Sequence, residues 1–259
     1  VIGIRDLKVS YNGMTVLRVD QLDLPDRCVC ALVGRNGSGK STLLKALVGV
    51  VPSHGMITVD GDDLRSMSHL ARARRMAYLP QSLSAPDMSV ATLVAHGRYA
   101  RLHGISRTLG TEDRNKVAEA LELTDTTGLA DRLLPELSGG ELQRAYLAMV
   151  IAQDTGTLLL DEPEAHLDVE YREDVWRIVR KLAHQGRCVV MASHDLPETF
   201  SMADEIVVIH SDLEGISQVA IHGSPDDLIA MPELLRTHLG YALERLPHGD
   251  FVSRFGLVR

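Results

Sequence analysis

An apolar run, Cys28–Val33, opens directly into Gly34-Arg35-Asn36-Gly37-Ser38-Gly39-Lys40-Ser41-Thr42. That join constrains the fold more than any other feature of the chain. Strand, glycine-rich turn, then Lys-Ser opening a helix is the order of a phosphate-binding loop. The glycines let backbone N–H groups close around phosphate oxygens, where a Cβ would clash or forbid the required φ. The following helix adds the positive end of its dipole. Lys40 is expected to reach the β- and γ-phosphates of a nucleoside triphosphate, and the Ser41 hydroxyl to ligate Mg²⁺.

A second motif narrows the class. Leu137-Ser138-Gly139-Gly140-Glu141-Leu142-Gln143-Arg144 precedes an apolar helical stretch, Ala145 to Ala152. Ser138 and Glu141 have capping-box spacing, which accounts for a helix start but not for the glycines. Two glycines in a first turn cost roughly 1 kcal/mol each against alanine. Bare N–H groups there suit the close approach of an anion. The chain already has a phosphate loop at 34–40, so this second site points to a phosphate offered by another subunit.

Leu-Ser-Gly-Gly-Glu, about a hundred residues beyond the loop, resembles the signature of the ATP-binding cassette (ABC) ATPases. The resemblance runs from Tyr11 to about Ile229. It implies an α/β P-loop NTPase core with an N-terminal antiparallel β subdomain and a helical lobe bearing the signature. It also implies a head-to-tail dimer of two copies, with ATP held between one subunit's loop and the other's signature. Ser138, Gly139 and Gly140 are then nucleotide-binding residues alongside Gly34 to Thr42.

The remaining parts follow in family order. Thr157-Leu158-Leu159-Leu160-Asp161-Glu162 reads as a buried strand ending in two carboxylates. By resemblance Asp161 holds Mg²⁺ and Glu162 polarises the attacking water. A carboxylate beside a cation stays ionised, while its neighbour can accept a proton. Ala77-Tyr78-Leu79-Pro80-Gln81 resembles the Q-loop, in which Gln81 senses Mg²⁺ and water and links the site to a membrane partner. Cys188-Val189-Val190-Met191-Ala192-Ser193-His194-Asp195 is another buried strand, and it places His194 where the family has its γ-phosphate-contacting switch. Tyr11 occupies the position of the aromatic that stacks on adenine, and Asp168 that of the residue tying the two nucleotide sites together. Two positions depart from the common pattern. Glu164 stands where relatives carry Thr or Ser, and the D-loop reads Ala165-His166-Leu167-Asp168.

Composition agrees with a full core: hydrophobic residues make up 45% of 259, although aromatics are only 4%. A net charge of −8 speaks against a general nucleic-acid binder, which needs clustered Lys and Arg. Cys28, Cys30 and Cys188 lie in predicted strands without zinc-site spacing and read as small core residues in a reducing compartment. The first residues carry no signal-peptide pattern, and no segment approaches about 18 uncharged apolar residues. A single ABC ATPase domain is expected over 1–259, with the helical lobe at about 82–150 and a C-terminal extension at about 224–259.

Strands are expected within 1–33 and at 56–60, with a turn at Asp60–Asp63. Helix is expected through much of 81–137, including an amphipathic stretch with Val117 and Leu121. Val175, Ile178, Val179 and Leu182 make an i, i+3, i+4, i+7 stripe on a further helix. Ile206–His210 and Gln218–His222 read as closing strands, and Ser224-Pro225-Asp226-Asp227 starts a final helix. The tail after Tyr241 carries no motif.

Wording such as Ala95-His96-Gly97-Arg98 and Ile151-Ala152-Gln153-Asp154-Thr155 resembles the iron-chelate, haem and cobalamin importer branch. That resemblance implies integral membrane permease subunits as partners, and a substrate-binding protein engaged indirectly. It places the chain on the cytoplasmic face of the cell membrane, held there by the permease. Import of zinc, manganese or a vitamin, export, and non-transport roles in iron–sulfur assembly or at the ribosome are the alternatives. The permease is expected to dock in a groove among residues 81–101, with Leu83, Met88, Val90, Leu93 and Val94 apolar and Arg98 and Arg101 at the rim.

Overall fold

Two long strands, β1 (Ile2–Tyr11) and β2 (Met14–Leu24), pair as a hairpin. Its tip, Asn12-Gly13, has φ of 51° and 81°, the left-handed pair that a two-residue hairpin turn requires. β3 (Val29–Val33) is buried at every position and runs through the loop into α1 (Lys40–Leu47). β4 (Ser53–Val59) and the short β5 (Asp62–Asp63) complete an antiparallel sheet on β1. This computed structural model describes residues 1–102, 108–165, 167–240, 242–245 and 251–254.

Next come α2 (His69–Arg75), β6 (Met76–Leu79), α3 (Val90–His96), α4 (Thr111–Leu123) and α5 (Gly139–Ala152). The chain then alternates: β7 (Thr157–Asp161), α6 (Val169–His184), β8 (Cys188–Ala192), α7 (Leu196–Met202), β9 (Glu205–Ser211) and β10 (Ser217–Gly223). It closes with α8 (Pro225–Ile229), α9 (Pro232–Leu239) and a separate hairpin of β11 (Ala242–Arg245) and β12 (Phe251–Arg254). The expected strands are thus present and longer than predicted. The expected final helix is two helices, and a hairpin follows them where the sequence carries no motif.

Ten strands form one sheet in the order β5-β4-β1-β2-β10-β9-β3-β8-β7-β6. β9, β3, β8, β7 and β6 are mutually parallel. Their buried, near-continuous apolar runs are what a sheet covered on both faces demands. The antiparallel and parallel halves meet where β10 lies parallel to β2, over two residue pairs, Ser217 with Leu17 and Gln218 with Arg18.

Three apolar clusters fill the layers. One packs α3, α4, α5 and α6 against the sheet around Trp176. A second holds α1 between the antiparallel strands and the parallel core. The third seats α7, α8 and α9 on Ala31, Val33, Ile206 and Val208. The stripe Val175, Ile178, Val179 and Leu182 is buried, as its spacing requires. Cys28, Cys30 and Cys188 are free thiols within the core.

The predicted groove at 81–101 is overturned. Val90, Leu93 and Val94 are core residues, and Leu83 and Met88 pack half-buried against them. The two arginines are not a rim either. Arg98 is 2% exposed and donates to Asp113 Oδ1 at 2.9 Å and to the Ala152 carbonyl at 2.8 Å. Arg101 donates to the carbonyls of Gln153 and Asp154. Both clamp the start of the lobe onto the end of α5.

Candidate active site

The parallel strands deliver their C-terminal ends to one edge, where open α/β sheets place ligands. β3 leads into Gly34, β7 ends at Asp161 just before Glu162, and β8 leads into Ser193–His194. Gly34 is pressed so close to β9 that a Cβ there would lie 2.2 Å from the Ile209 carbonyl oxygen. Gly39, just before α1, has φ of +96° and lies over Ser217, where a Cβ would meet Oγ at 2.7 Å. Any side chain at either position would push the loop out of its seat.

Lys40 is buried, and its Nζ donates to the Gly34 and Arg35 carbonyls at 2.8 and 3.3 Å. Burial lowers its pKa, and the charges of Glu162 and Asp161 act in the opposite direction. A cation held by loop carbonyls in a desolvated site is ready for an anion. Ser38 adds a buried hydroxyl without a partner among the described residues.

Asp161 is 1% exposed, and both its oxygens are engaged. The Ser41 hydroxyl donates to Oδ1 at 2.8 Å and the Tyr78 hydroxyl to Oδ2 at 3.2 Å. Burial raises the Asp161 pKa, the two hydroxyls oppose that shift, and neighbouring Glu162 adds to it. Tyr78 is pushed well above the tyrosine range by burial and by the Asp161 charge, so it remains a donor. The Q-loop motif Ala77–Gln81 assigns Tyr78 no role. Its bond spans 83 positions and leaves no local signal.

Glu162 adopts a left-handed backbone, φ +52°, unusual for a residue with a long side chain. Such strain, about 1–3 kcal/mol, persists where surrounding structure enforces it. Here the Glu162 amide is held by the Ala192 carbonyl at 3.2 Å. Its Oε2 accepts from Gln81 Nε2 at 2.9 Å. Asn36 to Thr42, Gln81 and Glu162 line one cavity of about 270 Å³. His194 lies on the loop's other flank, in a cavity of about 420 Å³ bounded by Gly34, Arg35, Asn36, Leu196 and Leu239. A larger cleft of about 780 Å³ runs between α6 and α7 and contains none of the motif residues.

Other predicted residues stand apart. Ser138, Gly139 and Gly140 open α5 through a reciprocal cap: Glu141 Oε2 accepts from the Ser138 amide at 2.8 Å, and Ser138 Oγ from the Glu141 amide at 3.3 Å. That bond to the Ser138 amide is the main reason the Glu141 carboxyl lies below its usual range. These residues line neither loop cavity, and Gly140 faces Leu167 of the D-loop instead. Tyr11 is 42% exposed at the hairpin tip, also outside both cavities. Asp168 is exposed at the start of α6, and His166 lies outside the described residues.

The ABC transporter family profile matches residues 17–165. The hemin import ATP-binding protein HmuV of Thermobifida fusca is 38% identical over 249 residues, 96% of this chain and 85% of that protein. The ferric enterobactin transport ATP-binding protein FepC of Escherichia coli is 34% identical, over 86% and 81% of the two chains. Among solved structures, a dimeric bacterial ABC transporter cassette superposes with a TM-score of 0.77 at 21% identity, covering 87% of this chain and 99% of the other. The phosphate loop, the paired carboxylates at the sheet edge and these relatives lead to one conclusion: this ATPase chain belongs to the ABC transporter family.

Proposed function

We propose that this chain powers an importer of an iron chelate, haem or a cobalamin-type molecule, working as a pair of copies beneath integral membrane permease subunits. One observation supports the site assignment above the others. Lys40 bonded to its own loop, the Ser41–Asp161–Tyr78 chain and the Gln81–Glu162 pair converge around a single loop. Lys40 and the amides of Gly34 to Thr42 bind the β- and γ-phosphates, and Tyr11 stacks on the adenine. Ser41, Asp161 and Gln81 are the residues that fit Mg²⁺. When bound, the ion supplies the positive charge that offsets phosphate oxygens. Glu162 orients water and takes its proton, with Gln81 fixing the carboxylate. His194 contacts the γ-phosphate. Ser138, Gly139 and Gly140 of a second copy close the sandwich, in keeping with their absence from the cavities around their own loop. Asp168 links the two sites.

The cargo class rests on the names of relatives, since haem and siderophore importers recur among those spanning most of the chain. A substrate-binding protein would feed the permease and never touch this subunit. The permease docks over Val50, Leu70 and Tyr99, which are 64%, 49% and 53% exposed. Arg74 joins this strip by donating to the Ala100 carbonyl at 2.7 Å, and Arg72 lies against Gly49. Exposed apolar side chains on neighbouring elements, on a chain with no helix long and apolar enough to cross a membrane among the described residues, suit a helix from a membrane partner.

The test has two arms. Glu162→Gln should bind ATP as the natural chain does and lose turnover by about 10²–10⁴, the share of a general base. The natural chain, reconstituted with its permease and binding protein in vesicles, should hydrolyse ATP faster when a ferric chelate, haem or cobalamin is supplied. Full turnover by Glu162→Gln would remove Glu162 from its role. Stimulation only by zinc, manganese or a vitamin of another class would reject the cargo.

A further inference from the structure

The cleft of about 780 Å³ between α6 and α7 holds no residue of the nucleotide site, yet both of its helices start there. α6 begins after Asp168, and α7 begins after Asp195, next to His194. Arg172 ties the two starts together, donating to the Leu167 carbonyl at 3.1 Å and pairing with Asp195 at 3.9 Å. Further along α6, Arg180 Nη1 donates to the Met202 carbonyl at 2.7 Å. A molecule lodged in the cleft therefore touches both helices that lead away from Asp168 and His194.

The walls state the chemistry of that molecule. They are mainly apolar, with Pro197 and the half-buried Met202 on the α7 side. A pocket of roughly 300–1,000 Å³ with a few polar groups is of the size that takes a small organic ligand. From α6 come Arg177, Arg180, Lys181 and His184, at i, i+3, i+4 and i+7, which is one face of the helix. The two acids of the lining, Glu173 and Glu198, lie nearer the helix starts, so the far end is the basic one. Arg177 is engaged by Asp174 and Arg180 by the Met202 carbonyl. Lys181 and His184 are exposed and have no side-chain partner among the described residues. On a chain of net charge −8, this basic end suits an anion with a large apolar body. Of the three cargo classes proposed above, haem has that make-up: a flat apolar ring, two carboxylates on one edge, and an iron that accepts imidazole. A siderophore holds its iron within oxygen donors, and a cobalamin carries mainly neutral amides.

We propose that the α6–α7 cleft is an effector site for haem, through which haem delivered by the transporter restrains the ATPase that delivered it. The inference rests on the haem-import reading of the cargo. The ring lies against the apolar walls, the carboxylates meet Lys181 and its basic neighbours, and His184 takes the iron. Haem so placed fixes α6 and α7 to each other. Asp168 and His194 stand at the roots of those helices, so the ligand opposes any rearrangement there that ATP requires.

The experiment titrates hemin into the purified chain and follows its Soret absorption. The natural chain should saturate at one hemin per chain, with the band of an imidazole-ligated iron. His184→Ala should lose that band and bind hemin about tenfold more weakly. Lys181→Glu should keep the band and also lose about tenfold, because a charge that attracted a carboxylate now repels it. Both side chains are exposed, so both variants should keep the natural melting temperature and ATP affinity. Iron-free protoporphyrin retains the carboxylates, and its affinity for His184→Ala should stay within about twofold of that for the natural chain. Saturating hemin should lower the natural chain's ATPase about fivefold, the lower end of coupling between sites, and the same concentration should inhibit His184→Ala far less. Unchanged hemin affinity in His184→Ala removes the iron ligand, and unchanged affinity in Lys181→Glu removes the basic face; either result overturns the site. An ATPase unmoved by saturating hemin overturns the effector role. The cargo reading fails separately: if the transport vesicles ignore haem, the feedback has no source and the effector role falls, even where the titration succeeds.

Discussion

Tyr78→Phe deletes one oxygen atom and tests the metal side of the site. The Tyr78 hydroxyl donates to Asp161 Oδ2 at 3.2 Å, while Oδ1 takes the Ser41 hydroxyl at 2.8 Å. If Ser41 turns to Mg²⁺, Tyr78 becomes the donor that still fixes the carboxylate. A hydrogen bond to a charged acceptor contributes about 1.5–3 kcal/mol. The length of this one and the half-buried ring favour the lower end, roughly 1.5 kcal/mol, or about tenfold. Outer groups that orient a metal ligand have effects in the same range, about 10–100-fold on metal affinity. The ring already packs against the second apolar cluster, so phenylalanine preserves the packing. We expect the free Mg²⁺ needed for half-maximal ATPase, at saturating ATP, to rise about tenfold. ADP binding without Mg²⁺ should stay the same, since Lys40 and the loop are untouched. An Mg²⁺ dependence that superposes on that of the natural chain would refute the positioning of Asp161 by Tyr78.

Four further outcomes follow from the structure. Mg²⁺–ATP should drive two Glu162→Gln chains into a dimer visible by light scattering, and Ser138→Arg should abolish it while leaving ATP binding to the monomer. Leu70→Asp should uncouple transport in vesicles yet retain basal ATPase and melting temperature, since Leu70 is half-exposed and outside the core. Arg98→Ala should destabilise the chain by about 3 kcal/mol in denaturant titration, because it leaves Asp113 and the Ala152 carbonyl without their buried partner. Burial raises the Glu164 pKa, so the folded chain binds that proton more tightly than the unfolded one. Its favourable contribution is complete below the unfolded carboxyl pKa and disappears as pH rises through the folded value. Glu164→Met should therefore change the melting temperature more favourably at pH 7.5 than at pH 4.5, read by thermal unfolding at the two pH values.

Local chemistry made much of the site legible. β3, β7 and β8 are short buried runs followed by loop residues, and such runs suit a parallel sheet covered on both faces. The start of α5 was legible because a capping box and two bare glycines are consecutive residues. By contrast, α2 has no buried residue and no apolar stripe; Ser68 caps it and Arg74 ties it to a carbonyl 26 positions away. Val90, Leu93 and Val94 show why a groove was misplaced. Their i, i+3, i+4 spacing marks an apolar face but does not say what covers it, and α5 covers it from about fifty residues downstream. The partnering of Tyr78 with Asp161 arises the same way, from side chains brought together by strands that are neighbours only in the sheet.

The two-pair junction between β2 and β10 sets an order of events on the ribosome. β2 is complete at Leu24, but its sheet neighbour begins at Ser217. At about 5–20 residues per second, the intervening roughly 200 residues take about 10–40 s to emerge. Throughout that interval the N-terminal hairpin presents a long unpaired edge, the kind of template on which nascent chains aggregate. Even afterwards only Leu17 and Arg18 are paired across it. Beyond Met14 at its start, the exposed residues of β2 are Arg18, Asp20, Gln21 and Asp23, with Arg5 held against Asp23. Charge along that edge repels a second edge of the same kind, so these residues guard the chain while it is being made. Their replacement by threonine or valine should lower the soluble yield long before it alters the activity of molecules that fold.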